Sequence, residues 1–204
     1  LLLLPVQILF SNLLTDGLLG LGMGVEKAER DVMTRPPHFP GEGVFSRGGG
    51  WHVTWLDGMI GALVTGVGWW YWQGLSADGV LTPGEGLLLT TVVFMTLALL
   101  QIGRVLSARS FRDSLLLVDP RGNPTLLVMV VIALTLQGIA VYLPVAQSFF
   151  HTVPLPWPEV LVGIGAALIV LVALEAEKAL RRRSGVRRSD PEPPRSSSAA
   201  EGHP

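Results

Sequence analysis

The sequence predicts an all-α protein, a polytopic membrane helical bundle of about five transmembrane helices followed by a disordered C-terminal tail. Three observations carry this reading. Of 204 residues, 49% are hydrophobic and only 15% charged, against roughly 25% charged in soluble domains. Five apolar runs approach the ~20 residues that a helix needs to cross hydrocarbon. All 15 Lys and Arg fall in three of the segments that flank those runs. The chain has no cysteine, which excludes disulfides and thiolate metal sites. Its net charge of −1 argues against a nucleic-acid partner, and the lipid bilayer is the partner that the composition demands.

The first run covers 1–23, the second 55–72, the third 86–106, the fourth 124–144 and the fifth 157–178. Gly and Pro inside them do not exclude helix, since both are commoner in membrane helices than in soluble ones. The second run ends in the aromatic cluster Trp69, Trp70, Tyr71, Trp72, which fits an interfacial belt, as do Trp51, Trp55 and Trp157. The connections at 73–85 and 145–156 are expected to be loops. The chain opens on Leu1 inside an apolar run with no basic stretch before it and no cleavage site after it, so a signal peptide is not expected. A piece of a longer protein is the expected origin.

Lys and Arg lie at 27–47, 104–121 and 178–195, and the two remaining loops have none. By the positive-inside rule the three basic segments, the C-terminus included, face the cytoplasm. Residues 1–180 are therefore read as one membrane domain. Residues 181–204, rich in Ser, Pro and charge with little to bury, are read as a disordered cytoplasmic tail.

The most informative polar group sits inside the first run: Asn12, Thr15 and Asp16 in FSNLLTDGLL. An ionised Asp at membrane depth costs roughly 2.5–3.5 kcal/mol on insertion scales, so it normally faces a protein interior or a water-filled path. Asn12 and Asp16 are four apart and share a helix face. Three oxygen-bearing side chains on one stripe offer part of a shell for a hard cation. The competing reading is a helix end, because Asp16-Gly17 is a turn signal. Continuation of the apolar run to Met23 disfavours it, and Gly17, Gly20, Gly22 and Gly24 permit local unwinding that exposes carbonyls to a cavity. From spacing alone, ion site and structural polar contact both stay open.

Gln101 is the second polar residue at depth. It is either an interhelical hydrogen-bond partner, worth about 0.6 kcal/mol, or a neutral cation ligand. For Gln137 the structural reading, an interhelical hydrogen bond, is favoured. Asp57 is expected to be solvated, and Glu175 and Glu177 to pair with neighbouring basic residues. His38, His52, His151 and His203 show no metal-ligand spacing, there is no Walker-type phosphate loop, and no catalytic constellation is visible.

The stretch from Pro5 to His38 resembles the sixth transmembrane helix and following cytoplasmic loop of the type II P-type cation-transporting ATPases, the calcium-pump-like enzymes. Pro5, Gln7, Leu9, Asn12, Leu13, Thr15, Asp16 and Gly17 fit the family's P-x-Q-x-L-x-x-N-L-x-T-D-G pattern. Gly24, Glu26, Met33, Pro36 and Pro37 fit the loop that follows. The remaining runs resemble helices seven to ten, and ARSFRDSLL resembles the eighth-to-ninth connection, so the likeness covers about 1–180.

The resemblance implies that Asn12 and Asp16 ligate the transported cation, calcium being the expected ion, and that Thr15 contributes in two-site pumps. The acidic ligand that the eighth helix supplies in two-site pumps falls on Gln101, which implies a one-site pump closer to secretory-pathway and bacterial calcium pumps. It also implies partners outside this chain: an N-terminal half with the actuator, phosphorylation and nucleotide domains. ATP and magnesium would act there, around a DKTGT aspartate that these residues do not contain. On its own the chain is then no enzyme. The 25–54 loop would contact the phosphorylation domain. The expected location is a multi-pass position in a bacterial plasma membrane. The alternative is a free-standing membrane protein acting as a split subunit or regulator of a partner pump.

Overall fold

The computed structural model of the protein describes residues 3–26, 49–75, 79–109 and 122–183; the side chains of Asp16, of 49–53 and of 181–183 lie outside that description. Six helices account for nearly all of it: α1 (Pro5–Gly24), α2 (Gly49–Leu75), α3 (Pro83–Ala108), α4 (Pro124–Tyr142), α5 (Pro144–Phe150) and α6 (Trp157–Arg183). No strand occurs among the described residues.

Local chemistry starts most of these helices. Pro5, Pro83, Pro124 and Pro144 each occupy the first turn of their helix, where a missing N–H costs nothing. Thr82 and Glu85 form a reciprocal capping box on α3: Glu85 N–H donates to Thr82 Oγ1 (3.4 Å) and Thr82 N–H to Glu85 Oε2 (2.8 Å). Asn123 caps α4, its Oδ1 accepting from Leu126 N–H at 2.9 Å. Pro144 ends α4, because the residue before it, Leu143, is held extended. The connection expected as a loop over 145–156 therefore opens with the short helix α5, which stops at His151 in the left-handed region (φ 53°).

By length and composition α1, α3, α4 and α6 are long and apolar enough to cross a membrane. The second expected span lies within α2, whose 27 residues reach roughly 40 Å at about 1.5 Å per residue. That length suffices, but Gly, Thr and Asp57 dilute its apolar character, and it is not among the four. α6 continues through Arg183; the stretch beyond it, expected to be disordered, lies outside the described residues, as do 27–48 and 110–121.

α3 is the central helix. Val92, Val93 and Phe94 are fully buried, and its faces feed three apolar clusters. One joins Leu14 and Leu19 of α1 to Ile102 and to Leu126 and Ala133 of α4. Another joins Leu56 and Ile60 of α2 to Leu100 and to Val170 and Leu174 of α6. Helices in lipid gain little from apolar burial alone, so they associate through close contact of small residues. The α3–α6 seam shows this. A Cβ added to Gly103 would stand 3.4 Å from Ala167 O, and one added to Gly163 would stand 3.4 Å from Thr96 Cα. Outward, α4 exposes Val128, Val131 and Ile132, and α6 exposes Leu168, Ile169 and Val172, as a lipid-facing surface requires.

Polar contacts define two ends. At the basic end, Arg104 Nη1 meets Asp57 Oδ1 at 2.9 Å, so Asp57, expected to be only solvated, is half-exposed and ion-paired. Glu175 pairs with Lys178 at 2.9 Å as expected. Lys178 itself is buried and donates to Ser107 O at 2.7 Å. At the opposite end, Gln7 Nε2 donates to Phe150 O (3.0 Å) and the Phe10 ring packs tilted against that of Phe150, their centroids 4.7 Å apart.

Candidate cation site in the first helix

The helix that carries Asn12, Thr15 and Asp16 is not regular. From Leu13 to Leu19 it widens into a π-helix, with Gly20 N–H reaching back to Thr15 O, five residues away. Long π segments are rare, and short ones concentrate at functional sites. The widening covers Thr15, Asp16 and Gly17 and begins directly after Asn12. An added Cβ on Gly17 would meet only Leu13 Cδ1, at an ordinary 3.6 Å. Gly17 is thus not imposed by crowding.

Thr15 turns inward. Its hydroxyl donates to Ser11 O at 2.9 Å, the back-bonding that loosens a helix. Thr15 and Ser11 line a small cavity of about 10 Å³ closed by Leu14, Leu19, Ala98, Ile102 and Ala133. That is near the lower limit for one water. Ser11 Oγ is buried with no hydrogen-bond partner. Asn12 is exposed on the other side of α1, beside Leu9 and Leu13, which are 71% and 66% exposed. Asp16 contributes its backbone to the π segment; its side chain lies outside the described residues.

Gln101 is half-buried on α3. Its neighbours Ala98 and Ile102 wall the cavity, but Gln101 does not. The structure thus brings Thr15 together with Ser11 and α3, while Asn12 and Gln101 stand outside that cavity. Ser11 was missed in the sequence, although it lies four residues before Thr15. Gln137 departs from expectation in a different way. It is 1% exposed, yet neither its Nε2 nor its Oε1 has a hydrogen-bond partner, so the expected interhelical hydrogen bond is not formed.

Among the described residues no group of three His, Cys, Asp or Glu gathers to hold a metal. A hard cation of the calcium type takes about 6–8 oxygens, more than Ser11, Thr15 and the adjacent carbonyls provide. What the structure shows here is a widened but hydrogen-bonded stretch of helix, with Thr15 and Ser11 on its inner side and Asn12 exposed on the other.

Residues 1–180 match the family described as cation transporting ATPase, C-terminus. Among curated proteins, the chain is 33% identical over 184 residues to a calcium-transporting ATPase of Bacillus subtilis, covering 89% of this chain and 19% of that protein. It is 28% identical over 209 residues to the endoplasmic reticulum-type calcium-transporting ATPase 3 of Arabidopsis thaliana, covering 90% and 20%. It is also 28% identical over 173 residues to the calcium-transporting ATPase type 2C member 2 of Mus musculus, covering 85% and 18%. The chain thus spans about a fifth of the length of these relatives. With a match over nearly the whole sequence and four helices able to cross a bilayer, the chain belongs to the cation-transporting ATPase family as a C-terminal membrane region.

Proposed function

We propose that this region forms the C-terminal half of the cation path of a P-type pump and that calcium is the ion carried. The observation that carries the proposal is the coincidence of the π segment, Leu13–Leu19, with the polar group Asn12, Thr15 and Asp16. The irregular winding falls where a carboxylate, an amide and a hydroxyl already cluster in sequence, and irregular backbone inside a membrane is tolerated only where it lines a cavity or is buried in protein. The names of the relatives support calcium as cargo.

In this reading Asp16 neutralises the ion and Asn12 adds an oxygen on the open face, while Thr15, turned toward Ser11, and Gln101, outside the cavity, join them only after α1 rearranges. Further ligands come from helices of the full-length protein, reached across the open Asn12 face. ATP and magnesium act in its phosphorylation and nucleotide domains, with the actuator domain completing the cytoplasmic part. The basic end is cytoplasmic, as the distribution of Lys and Arg supports. The membrane is a bacterial plasma membrane, a placement supported by the likeness to the Bacillus subtilis protein.

The test is Asp16→Asn in the full-length protein, with phosphorylation by ATP followed as calcium is varied. Calcium-dependent phosphorylation is expected to disappear while the variant inserts and purifies normally. Phosphorylation retained at low calcium would remove Asp16 from the site.

A further inference from the structure

At the end opposite the basic one, a cleft of about 530 Å³ opens between α2, α3 and α6. Trp70, Tyr71, Gln73 and Leu75 form one wall, and Leu88 and Glu159 the other. The Tyr71 hydroxyl hydrogen-bonds to Glu159. The other feature of that carboxyl group is unusual: Glu159 Oε2 is shielded from solvent and has no hydrogen-bond partner. A carboxylate oxygen withdrawn from water without a hydrogen-bond partner is disfavoured; the place of Glu159 in the first turn of α6 offsets part of that cost, and a cation facing it would offset the rest. Among the described residues no Lys or Arg occurs at 49–75, 79–103 or 122–177, the stretches that include every wall of the cleft.

The wall chemistry selects the cation. A hard metal ion needs several oxygens, whereas Glu159 is a single carboxylate, and no acidic or histidine triad occurs among the described residues. The aromatic face favours an organic ammonium instead. Trp70 and Tyr71 stand edge to face at 5.5 Å, and such rings attract ammonium groups through their quadrupoles. The cleft opens at the interfacial end of its helices, where Trp69 and Trp70 are 59% and 61% exposed, the position of a membrane aromatic belt. Leu75 and Leu88 provide apolar surface for the glycerol and upper acyl portion of a lipid, and the exposed amide of Gln73 offers a donor to a phosphate.

We propose that this cleft binds a phospholipid with a primary ammonium headgroup, of the phosphatidylethanolamine class, with Glu159 as counter-ion and Trp70 and Tyr71 as the aromatic wall. The proposal does not rest on the cation-path reading, because its site is at another place and its ligand is not the cargo.

The experiment is native mass spectrometry of the full-length protein in detergent, titrated with short-chain phosphatidylethanolamine or phosphatidylglycerol. The wild type is expected to retain phosphatidylethanolamine with at least about tenfold preference, and Glu159→Gln to lose that preference. Trp70→Leu, at an exposed position that leaves folding intact, is expected to weaken it in the same direction. Equal retention of the two lipids by the wild type would overturn the proposal. So would an undiminished preference in both variants, or displacement of the bound lipid by calcium at this site.

Discussion

Arg109 grips Glu26 with two parallel hydrogen bonds, Nε to Oε2 and Nη2 to Oε1, each 3.2 Å long. The Arg109 side chain is only 3% exposed and that of Glu26 15%. Asn123 joins them, its Nδ2 donating to Glu26 Oε2 at 2.8 Å and to Gly22 O at 2.9 Å. Residues that follow α1, follow α3 and precede α4 are thereby tied at one point. A fork-on-carboxylate geometry of this kind is the strong form of an ion pair.

Removing Arg109 takes the charged fork away from the largely buried Glu26 carboxylate, which keeps its hydrogen bond from Asn123. Arg109→Met is expected to lower stability by about 3–5 kcal/mol, read as a lower midpoint of thermal unfolding in detergent. The double variant Glu26→Leu with Arg109→Met should lose less than the two single variants added together. Strict additivity would show that the two side chains do not interact.

Gly22 marks the place where α1 crosses α4. An added Cβ would stand 3.0 Å from Leu126 Cα and 2.9 Å from Leu126 Cδ1. The side-chain carbon can move, but the backbone carbon cannot without parting the helices. Gly22→Ala is expected to destabilise by about 1–3 kcal/mol. Gly24→Ala, with nothing within 4 Å, should be neutral or stabilising by up to about 1 kcal/mol. Equal effects of the two substitutions would dismiss the crossing as the cause.

Gln137 carries two unpartnered amide atoms in the interior. Replacing it with Leu removes their desolvation penalty at similar volume, with an expected gain of about 1–3 kcal/mol. Chemical or thermal unfolding of Gln137→Leu would measure it. A loss of stability instead would mean that the amide is satisfied by an ordered water.

In the full-length protein, Gln101→Ala is expected to weaken calcium affinity less than Asp16→Asn does, because a neutral, half-buried amide outside the Thr15 cavity contributes less than a carboxylate. Calcium-dependent uptake into vesicles compares them. An equally complete loss would make Gln101 a primary ligand.

What could be read from residues alone follows the range of each interaction. Apolar runs and their Pro and Asn starts are local, and α1, α3, α4 and α6 appear where those signals stand. The Glu175–Lys178 pair is also local, three residues apart. The Glu26–Arg109 pair joins residues 83 apart, and no periodicity reports such a distance. The glycines after Asp16 hinted at a loosened backbone, yet a π segment depends on which carbonyl each N–H selects once α3 and α4 pack alongside. Gln137 lacks its expected hydrogen bond: a polar residue on an apolar helix reveals its depth but not whether a partner stands opposite.

The two latches on α1 lend the wide section a geometric meaning. Gln7 is fastened to Phe150 above it, and Gly22 to Asn123 below it. A coil closed over five residues stores more chain per unit length than one closed over four. The fastened points therefore sit nearer together than an unbroken α-helix would set them. Any substitution that restores ordinary winding between Leu13 and Leu19 lengthens the rod, and one of the two latches must let go.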